Sequence, residues 1–417
     1  MLKNRYQVIL CIFIINFAPL KSQILTLDEV LENITLNNPQ LKMYDADIQS
    51  MDAASAGAKS WMPPQVQAGF FMTPYNPSFW KADGAFAGMG NFMVGATQMI
   101  PNPKKQMADF NYMNAMSSVE RENKNYTLNQ LYALAKTKYH EWMIISKKVK
   151  IANENLLLLA YMIKSMEIRY QYNMDKLPTY YKAKSNYSSL ESMIVMLKND
   201  ISQKMIVLNT LMARDKNFTF EVDSTYRFID FNNEASDTTY LAKRRSDIKA
   251  IEKTININQL KIEVENTRLL PDFGVRYDHM FAFGQQPQQF TLMGMVNIPM
   301  SWSTKMNKAN IHSFQIKNES LYWQKQMVLN EASGMIKAMK TELSFLKDQY
   351  RISENSIIPA IRKNYETALL AWQNNTGDLF QVLDAWESLN MAQLDTLDRL
   401  QRILVTQVEI EKQMEIK

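Results

Sequence analysis

The sequence repeats one order of elements twice, and this repeat limits what the chain can fold into. The Ile-Pro pair at 100–101 recurs at 298–299, which is 198 residues further on, and the segment 187–190 corresponds to 386–389 at an offset of 199. A near-constant offset over such a distance indicates one structural unit that has been duplicated. Each structural feature predicted for one unit should therefore occur twice in the chain.

Each copy is predicted to contain a helix, a hairpin of alternating segments and two long helices. The first copy is assigned to 23–214, with its hairpin and long helices at 64–100, 103–171 and 178–212. The second copy is assigned to 240–417, with the corresponding elements at 272–298, 304–373 and 378–416. Residues 215–239 are predicted to connect the two copies.

The first 22 residues have the features of a secretory signal peptide. Lys3 and Arg5 precede an apolar stretch at 8–18 that is too short to span a membrane, and Cys11, the only cysteine of the chain, lies inside it. We therefore expect an exported protein without disulfides or a lipid anchor. Its 47 basic and 42 acidic residues are interspersed without a basic block, so no nucleic-acid partner is expected.

Alternation of apolar and polar residues marks two segments in each copy. The segments 64–73, 91–100, 272–281 and 290–298 each have about ten residues, the length of a tilted transmembrane strand. No run of 18 apolar residues follows residue 22, so a membrane would have to be crossed by strands. The alternative is a half-buried sheet in a soluble protein.

Aromatic residues near the ends of these segments favour the membrane interpretation, because aromatic side chains concentrate at bilayer interfaces. The interface candidates are Tyr75, Phe79, Trp80, Phe281, Phe283 and Trp302. Four strands cannot close into a barrel, and an open edge inside a bilayer leaves backbone groups without hydrogen bonds. The sequence therefore predicts that several chains share one barrel.

Between the proline at 103 and residue 171 the sequence contains no helix breaker. Its apolar seam from Leu128 to Tyr170 makes 12 steps over 42 residues, a mean of 3.5, which is the period of a coiled coil. Breaks near 175–178 and at 374–377 would let each long helix turn back. The sequence predicts long antiparallel coiled-coil hairpins.

Enzymatic chemistry is not expected from this sequence. The three histidines fall on separate elements, and no phosphate loop, nucleophile elbow or zinc motif is present, so no catalytic residue, cofactor or metal site is predicted. The 29 methionines are the one unusual feature of the composition. Thioethers suit Cu(I), but methionine is also a flexible gap-filler, and the second interpretation is preferred.

Several segments of the sequence resemble the TolC-type outer-membrane factors, the outer membrane efflux protein family. The segments that carry the resemblance are 25–31, 37–41, 208–215, 244–248, 372–378 and 382–385. The resemblance implies a mainly α-helical homotrimer, with a shared 12-stranded β-barrel in the outer membrane of a Gram-negative bacterium and a helical tunnel in the periplasm. In that family 215–239 would be the equatorial segment.

The resemblance also implies a function and partners. Such proteins are exit ducts that dock onto a periplasmic adaptor and an inner-membrane pump, here with the resistance-nodulation-division (RND) type favoured. The outer-membrane component of a type I protein secretion system is the alternative within the family. A non-channel coiled-coil scaffold on the cell surface is the alternative from another class, but it would leave the strands without a role.

The same resemblance nominates residues at the periplasmic helix tip as a gate. Asp384 matches one acidic position of the family, Gln381 occupies the other, and Gly377 stands where the family has a basic residue. Asp378, Leu177 and Pro178 complete the candidates, because the two copies differ most at the tip. Asp384 is expected either to form a ring of three carboxylates or to be an ordinary solvated helix residue.

Overall fold

The computed structural model of the chain describes residues 23–172, 177–231 and 233–416. The predicted signal peptide at 1–22 and the segment 173–176 at the first helix break lie outside the described residues. The chain is mainly α-helical with a small β part, as predicted. No helix in the described ranges combines the length and the apolar character needed to cross a membrane.

Helices dominate both halves of the described chain. The α-helices are α1 (Leu27–Asn37), α2 (Pro39–Ala56), α3 (Pro103–Gln171), α4 (Leu177–Leu211), α5 (Thr238–Arg244), α6 (Ser246–Thr267), α7 (Lys305–Ile352), α8 (Ile358–Gln373) and α9 (Leu379–Met414). The strands are β1 (Gln23–Leu25), β2 (Gln65–Phe71), β3 (Asn91–Ile100), β4 (Phe220–Val222), β5 (Asp272–Ala282) and β6 (Gln289–Asn297).

The long helix predicted over 304–373 is not one regular α-helix. A π-helical segment, Ser353–Ile357, separates α7 from α8. Pro359 lies in the first turn of α8, where it has no N–H to donate and its ring would collide with the carbonyl group four residues earlier. Widening the preceding turn to a π-helix accommodates the proline without ending the helix.

Four strands form one antiparallel sheet in the order β2-β3-β5-β6. The predicted hairpins are β2–β3 and β5–β6, and β3 pairs with β5 from Asn91 opposite Ala282 to Ile100 opposite Phe273. The two copies therefore meet along the inner strand of each hairpin. Among the described strands, β2 and β6 each have a strand neighbour on one side only.

A second, two-stranded sheet pairs β1 with β4 in parallel, from Gln23 opposite Phe220 to Leu25 opposite Val222. Strand β4 of this sheet lies within 215–239, the segment predicted to connect the two copies. The Tyr139 hydroxyl donates to the carbonyl oxygen of Leu25 at 2.9 Å and accepts from the backbone N–H of Asp223 at 2.8 Å. Burial raises the pKa of Tyr139 to about 12, so the hydroxyl stays protonated and bridges the carboxyl ends of the two strands.

The chain divides into two compact units, and neither unit corresponds to one sequence copy. Unit 1 comprises the described residues up to Ile34 together with Ala135–Phe228 and Ile352–Gln401. Unit 2 comprises Thr35–Leu134, Ile229–Arg351 and the residues from Arg402 onward. Each unit draws on both copies, and the assignment of the copies to 23–214 and 240–417 stays a prediction.

Each unit has its own apolar core. In unit 1, α3, α4, α8 and α9 pack together around Leu159, Met162, Leu383 and Trp386. The seam predicted at the coiled-coil period supplies the α3 side, since Ala152, Leu159 and Met166 on it are buried there. In unit 2, Leu241, Ile336 and Ile403 are fully buried members of a separate core.

Candidate functional site

The four-stranded sheet has two chemically different faces. Strand register places one set of side chains on a predominantly apolar face, namely Val66, Ala68, Phe70, Phe92, Val94, Ala96, Gln98, Ile100, Phe273, Val275, Tyr277, His279, Phe281, Phe290, Leu292 and Val296. The most exposed of them are large hydrophobic residues, with Val66 71 %, Phe290 68 % and Leu292 66 % exposed. Among the described residues, these three side chains are not buried under any other layer of the protein.

The opposite face is polar. Gln65, Gln67, Thr97, Asp272, Arg276, Asp278, Thr291 and Asn297 lie on it. Asp278 is only 2 % exposed and accepts from Arg276 Nε at 2.8 Å and from Gln67 Nε2 at 3.2 Å. These three side chains link β5 to β2 across β3. The arrangement requires glycine at position 95, because a Cβ atom there would lie 2.0 Å from Oδ1 of Asp278.

An aromatic cluster covers the loop end of the sheet on the apolar side. The ring of Trp80 stacks on Phe283 at 5.5 Å and lies 5.8 Å from Phe70, which contacts Phe92 at 5.7 Å. The Trp80 indole donates to the carbonyl oxygen of Pro74 at 2.8 Å. An aromatic cluster with one polar, hydrogen-bonded edge is suited to a membrane interface.

The structure brings together only part of the predicted interface set. Trp80 and Phe283 join the cluster, Phe79 contacts Phe86 instead, and Tyr75 is fully exposed. Phe281 packs on His279 within β5, and Trp302 follows the opposite end of β6. The predicted interface set did not include Phe70 and Phe92. Both occupy apolar positions in the alternating pattern of their strands, so the pattern could have identified them.

In unit 1 the turn between α8 and α9 contains two of the predicted gate residues, Gly377 and Asp378. The N–H groups of Thr376 and Gly377 both donate to the carbonyl oxygen of Ala371, at 2.9 and 3.0 Å. The Asp378 carboxylate accepts from the N–H of Phe380 at 3.1 Å and so caps the start of α9. A Cβ atom at Gly377 would lie 2.9 Å from Cβ of Ala371 and 3.2 Å from its carbonyl carbon, so this tight turn leaves no room for a side chain.

A basic residue contacts this turn from a different element. Arg169, near the end of α3, donates to Oδ1 of Asn375 at 2.6 Å, and its guanidinium lies 5.0 Å from the ring centre of Trp372. The sequence reasoning looked for the basic group at position 377 and missed Arg169. No spacing in the sequence links α3 to this turn, so only the packing of the helices identifies it.

Asp384 and Gln381 lie on the same side of α9. With Phe380 and, across from them on α8, Asn364 and Thr367, they line an open cavity of 430 Å³. Leu177 and Pro178 are exposed at the start of α4 and do not line this cavity. The six tip candidates therefore form no single cluster in this chain.

Among the residues that the structure describes, no three His, Cys, Asp or Glu residues are grouped so that they could hold a metal ion. Burial lowers the pKa of His140 to about 4, and the nearby charge of Lys136 acts in the same direction. This imidazole is therefore uncharged at neutral pH, and within the described part of the chain its buried Nδ1 has no hydrogen-bond partner.

Comparison with known proteins identifies the fold. No protein-family model matches the chain, and no curated protein matches it either. Solved structures do match over nearly the whole length of the chain. The outer-membrane channel OprN superposes with a TM-score of 0.76 at 12 % identity, covering 93 % of this chain and 89 % of that one.

Two further structures give the same result. CusC, which was studied for transmembrane channel formation, has a TM-score of 0.75 at 14 % identity, with 93 % and 91 % of the two chains covered. The Campylobacter jejuni CmeC outer membrane channel has a TM-score of 0.72 at 14 % identity, with 93 % and 85 % covered. This chain has the fold of the TolC-type outer-membrane channels, as the resemblance predicted.

The packing at Gly377 generates a stability prediction. Gly377→Ala forces its new methyl group against Ala371, and overpacking of this kind destabilises proteins by about 1–3 kcal/mol. We expect the substitution to lower the free energy of unfolding of the purified protein by that amount and to speed hydrogen exchange in the turn at 371–381.

Gly334→Ala is the matched control, because position 334 is helical and a Cβ atom there meets nothing within 4 Å. It should stabilise the protein slightly, by about 0.5–1 kcal/mol, since alanine is the better helix former. Equal effects of the two substitutions would show that the turn does not have this tight geometry.

Proposed function

We propose that this protein is an outer-membrane channel, the exit duct of a tripartite efflux system. The observation that carries the proposal is the amphipathic sheet, with large apolar side chains exposed on one face and polar side chains on the other. An apolar face beside lipid and a polar face toward water is the arrangement of a membrane barrel strand. The match to solved outer-membrane channels over 93 % of this chain supports it.

The number of strands supports the homotrimer in this proposal. Each chain provides four, and β2 and β6 have backbone groups that a bilayer cannot satisfy. Closure takes at least about eight strands, so two copies is the minimum and three copies give a barrel of 3 × 4 = 12. We assign three, as in the family that the sequence resembles.

Unpaired apolar side chains on the helices support assembly from several chains. On α7, Ile316, Trp323, Met327 and Phe345 are exposed, with Trp323 62 % exposed. The steps of 7 and 4 residues between the first three are those of a coiled-coil seam. In the proposed trimer a neighbouring copy covers this stripe.

The proposed duct works with two partners, a periplasmic adaptor and an inner-membrane pump. The helical tip around the α8–α9 turn would dock to a periplasmic adaptor, and an inner-membrane pump of the RND type would supply the energy. The outer-membrane component of a type I secretion system uses the same fold and is the second candidate. The transporter genes that flank this one distinguish the two, because either an RND pump or a secretion ATPase should be encoded beside it.

The membrane proposal predicts opposite outcomes for two neighbouring substitutions. Leu292→Arg places a charge on the apolar face of β6, where arginine at mid-bilayer destabilises a barrel by about 2–4 kcal/mol per copy. We expect little heat-modifiable trimer in outer-membrane fractions. Thr291→Arg lies on the polar face and should assemble like the parent protein.

The same measurements distinguish the channel from a soluble periplasmic protein and from a coiled-coil scaffold on the cell surface. Equal assembly of the two variants would contradict a lipid-facing role for this sheet face. A soluble periplasmic monomer would exclude the duct, and a membrane-bound trimer without single-channel conductance in planar bilayers would favour the coiled-coil scaffold.

At the tip we propose that three Asp384 carboxylates form a ring that favours cations. The carboxylate lines an open cavity together with Gln381, so it is accessible to ions. Asp384→Ala should reduce cation selectivity and block by divalent cations in single-channel recordings. Glu387→Ala is the control, since Glu387 lies one turn further along α9 and is 3.7 Å from Lys182; unchanged block in Asp384→Ala would identify Asp384 as a solvated helix residue.

A further inference from the structure

The methionines of the four-stranded sheet all lie on one face. Strand register places Met93, Met99, Met280, Met293 and Met295 on the polar face, beside Asp278 and Arg276. These are the only methionines within β2, β3, β5 and β6, and none of them is on the apolar face.

The interpretation of methionine as a simple gap-filler does not predict this segregation. If methionine only replaced leucine, it would occur at least as often on the apolar face, where Leu292 and Val296 stand. On the polar face Met293 and Met295 are 42 % and 37 % exposed, so their thioethers have access to water and ions. Thioether sulfur binds soft metal cations, and this property offers an explanation for methionines on the polar face.

Three methionines line one cavity at the base of the sheet, on the side of the Ile100-Pro101 pair. Met62, Met99 and Met295 all line this cavity, whose volume is 530 Å³. Met99 and Met295 flank Gly274 in the strand register, and a Cβ atom at Gly274 would lie 2.7 Å from Met99 Sδ and 3.7 Å from Met295 Cβ. The absence of a side chain at Gly274 thus lets the sulfur of Met99 lie across β5 toward Met295.

The charged residues around the cavity favour a cation. Lys105 Nζ is paired with Asp272 Oδ1 at 2.7 Å, so their charges offset each other. Asp109 also lines the cavity. The lining therefore contains two carboxylates and one ammonium, together with the three thioethers.

We propose that Met62, Met99 and Met295 form a binding site for a soft monovalent metal cation of the Cu(I) and Ag(I) type. Thioether sulfur prefers such ions, whereas Zn²⁺ and Mg²⁺ prefer nitrogen, thiolate or oxygen ligands. The site lies on the face that the proposed duct turns toward its lumen, so it goes beyond the proposed function by naming a class of ion that the protein holds there. Met93 and Met280, which are paired in the register, provide a second thioether pair on the same face.

Silver ion is the practical probe, because Ag(I) does not oxidise in air. Isothermal titration of the purified full-length protein with Ag⁺ should show a site that is lost or weakened by about tenfold or more in Met99→Leu/Met295→Leu. X-ray absorption of the Ag⁺ complex should show sulfur neighbours. Met391→Leu is the control, since Met391 is exposed on α9 outside the cavity, and it should bind Ag⁺ like the parent protein.

Leucine is close to methionine in volume, so these variants should fold, and equal melting temperatures without Ag⁺ check this. The proposal is overturned if the double variant binds Ag⁺ as tightly as the parent protein, or if the absorption spectrum shows only oxygen and nitrogen ligands. Conductance in planar bilayers without Ag⁺ is measured on the same preparations. If the protein binds Ag⁺ but shows no conductance, the proposed duct is wrong and the metal site stands. If it conducts but does not bind Ag⁺, the metal site is wrong and the duct stands.

Discussion

The unpaired backbone groups at the two edges of the four-stranded sheet are the constraint on which the account depends. In water such groups bind solvent, but in a bilayer each unsatisfied group is unfavourable by several kcal/mol. The exposed side chains Val66 and Leu292 make one face of the same sheet suited to lipid rather than to water. A sheet with these faces and open edges is stable in a membrane only when further strands complete it, and this is the physical basis of the proposed assembly from several chains.

The predicted duplication would account for the four strands, and the strands that pair across the two predicted copies are β3 and β5. Each copy supplies one hairpin, and the inner strands pair over Asn91–Ile100. The helices also combine the copies, since unit 1 packs α3 and α4 of the first copy against α8 and α9 of the second. Divergence between copies is concentrated at the tip, where Pro178 starts one helix and the glycine at 377 closes a turn too tight for a side chain.

Much of this organisation could be predicted from the sequence, because it rests on periodicity. A mean spacing of 3.5 identified the buried seam of α3, and alternation identified the four strands. Features that depend on contacts between distant segments could not be found this way. The β1–β4 pair has three residues in each strand, too few for a periodic signal, and Arg169 reaches the α8–α9 turn only because helices 206 residues apart in sequence pack together. The face on which the methionines lie became informative only with the strand register.

Cysteine cross-linking between sheet edges shows whether β2 of one copy pairs with β6 of a neighbouring copy. The only natural cysteine, Cys11, lies in the predicted signal peptide, so introduced cysteines have no competing partner in the processed chain. A cysteine at Gln65 on β2 is combined in turn with one at Gln289, Thr291 or Asn297 on β6, all on the polar face. The account predicts that oxidation of outer membranes gives disulfide-linked dimers and trimers and nothing larger for at least one pair, because the edges meet only within a closed ring of three. Monomers at every position, or an open ladder of larger species, would contradict it.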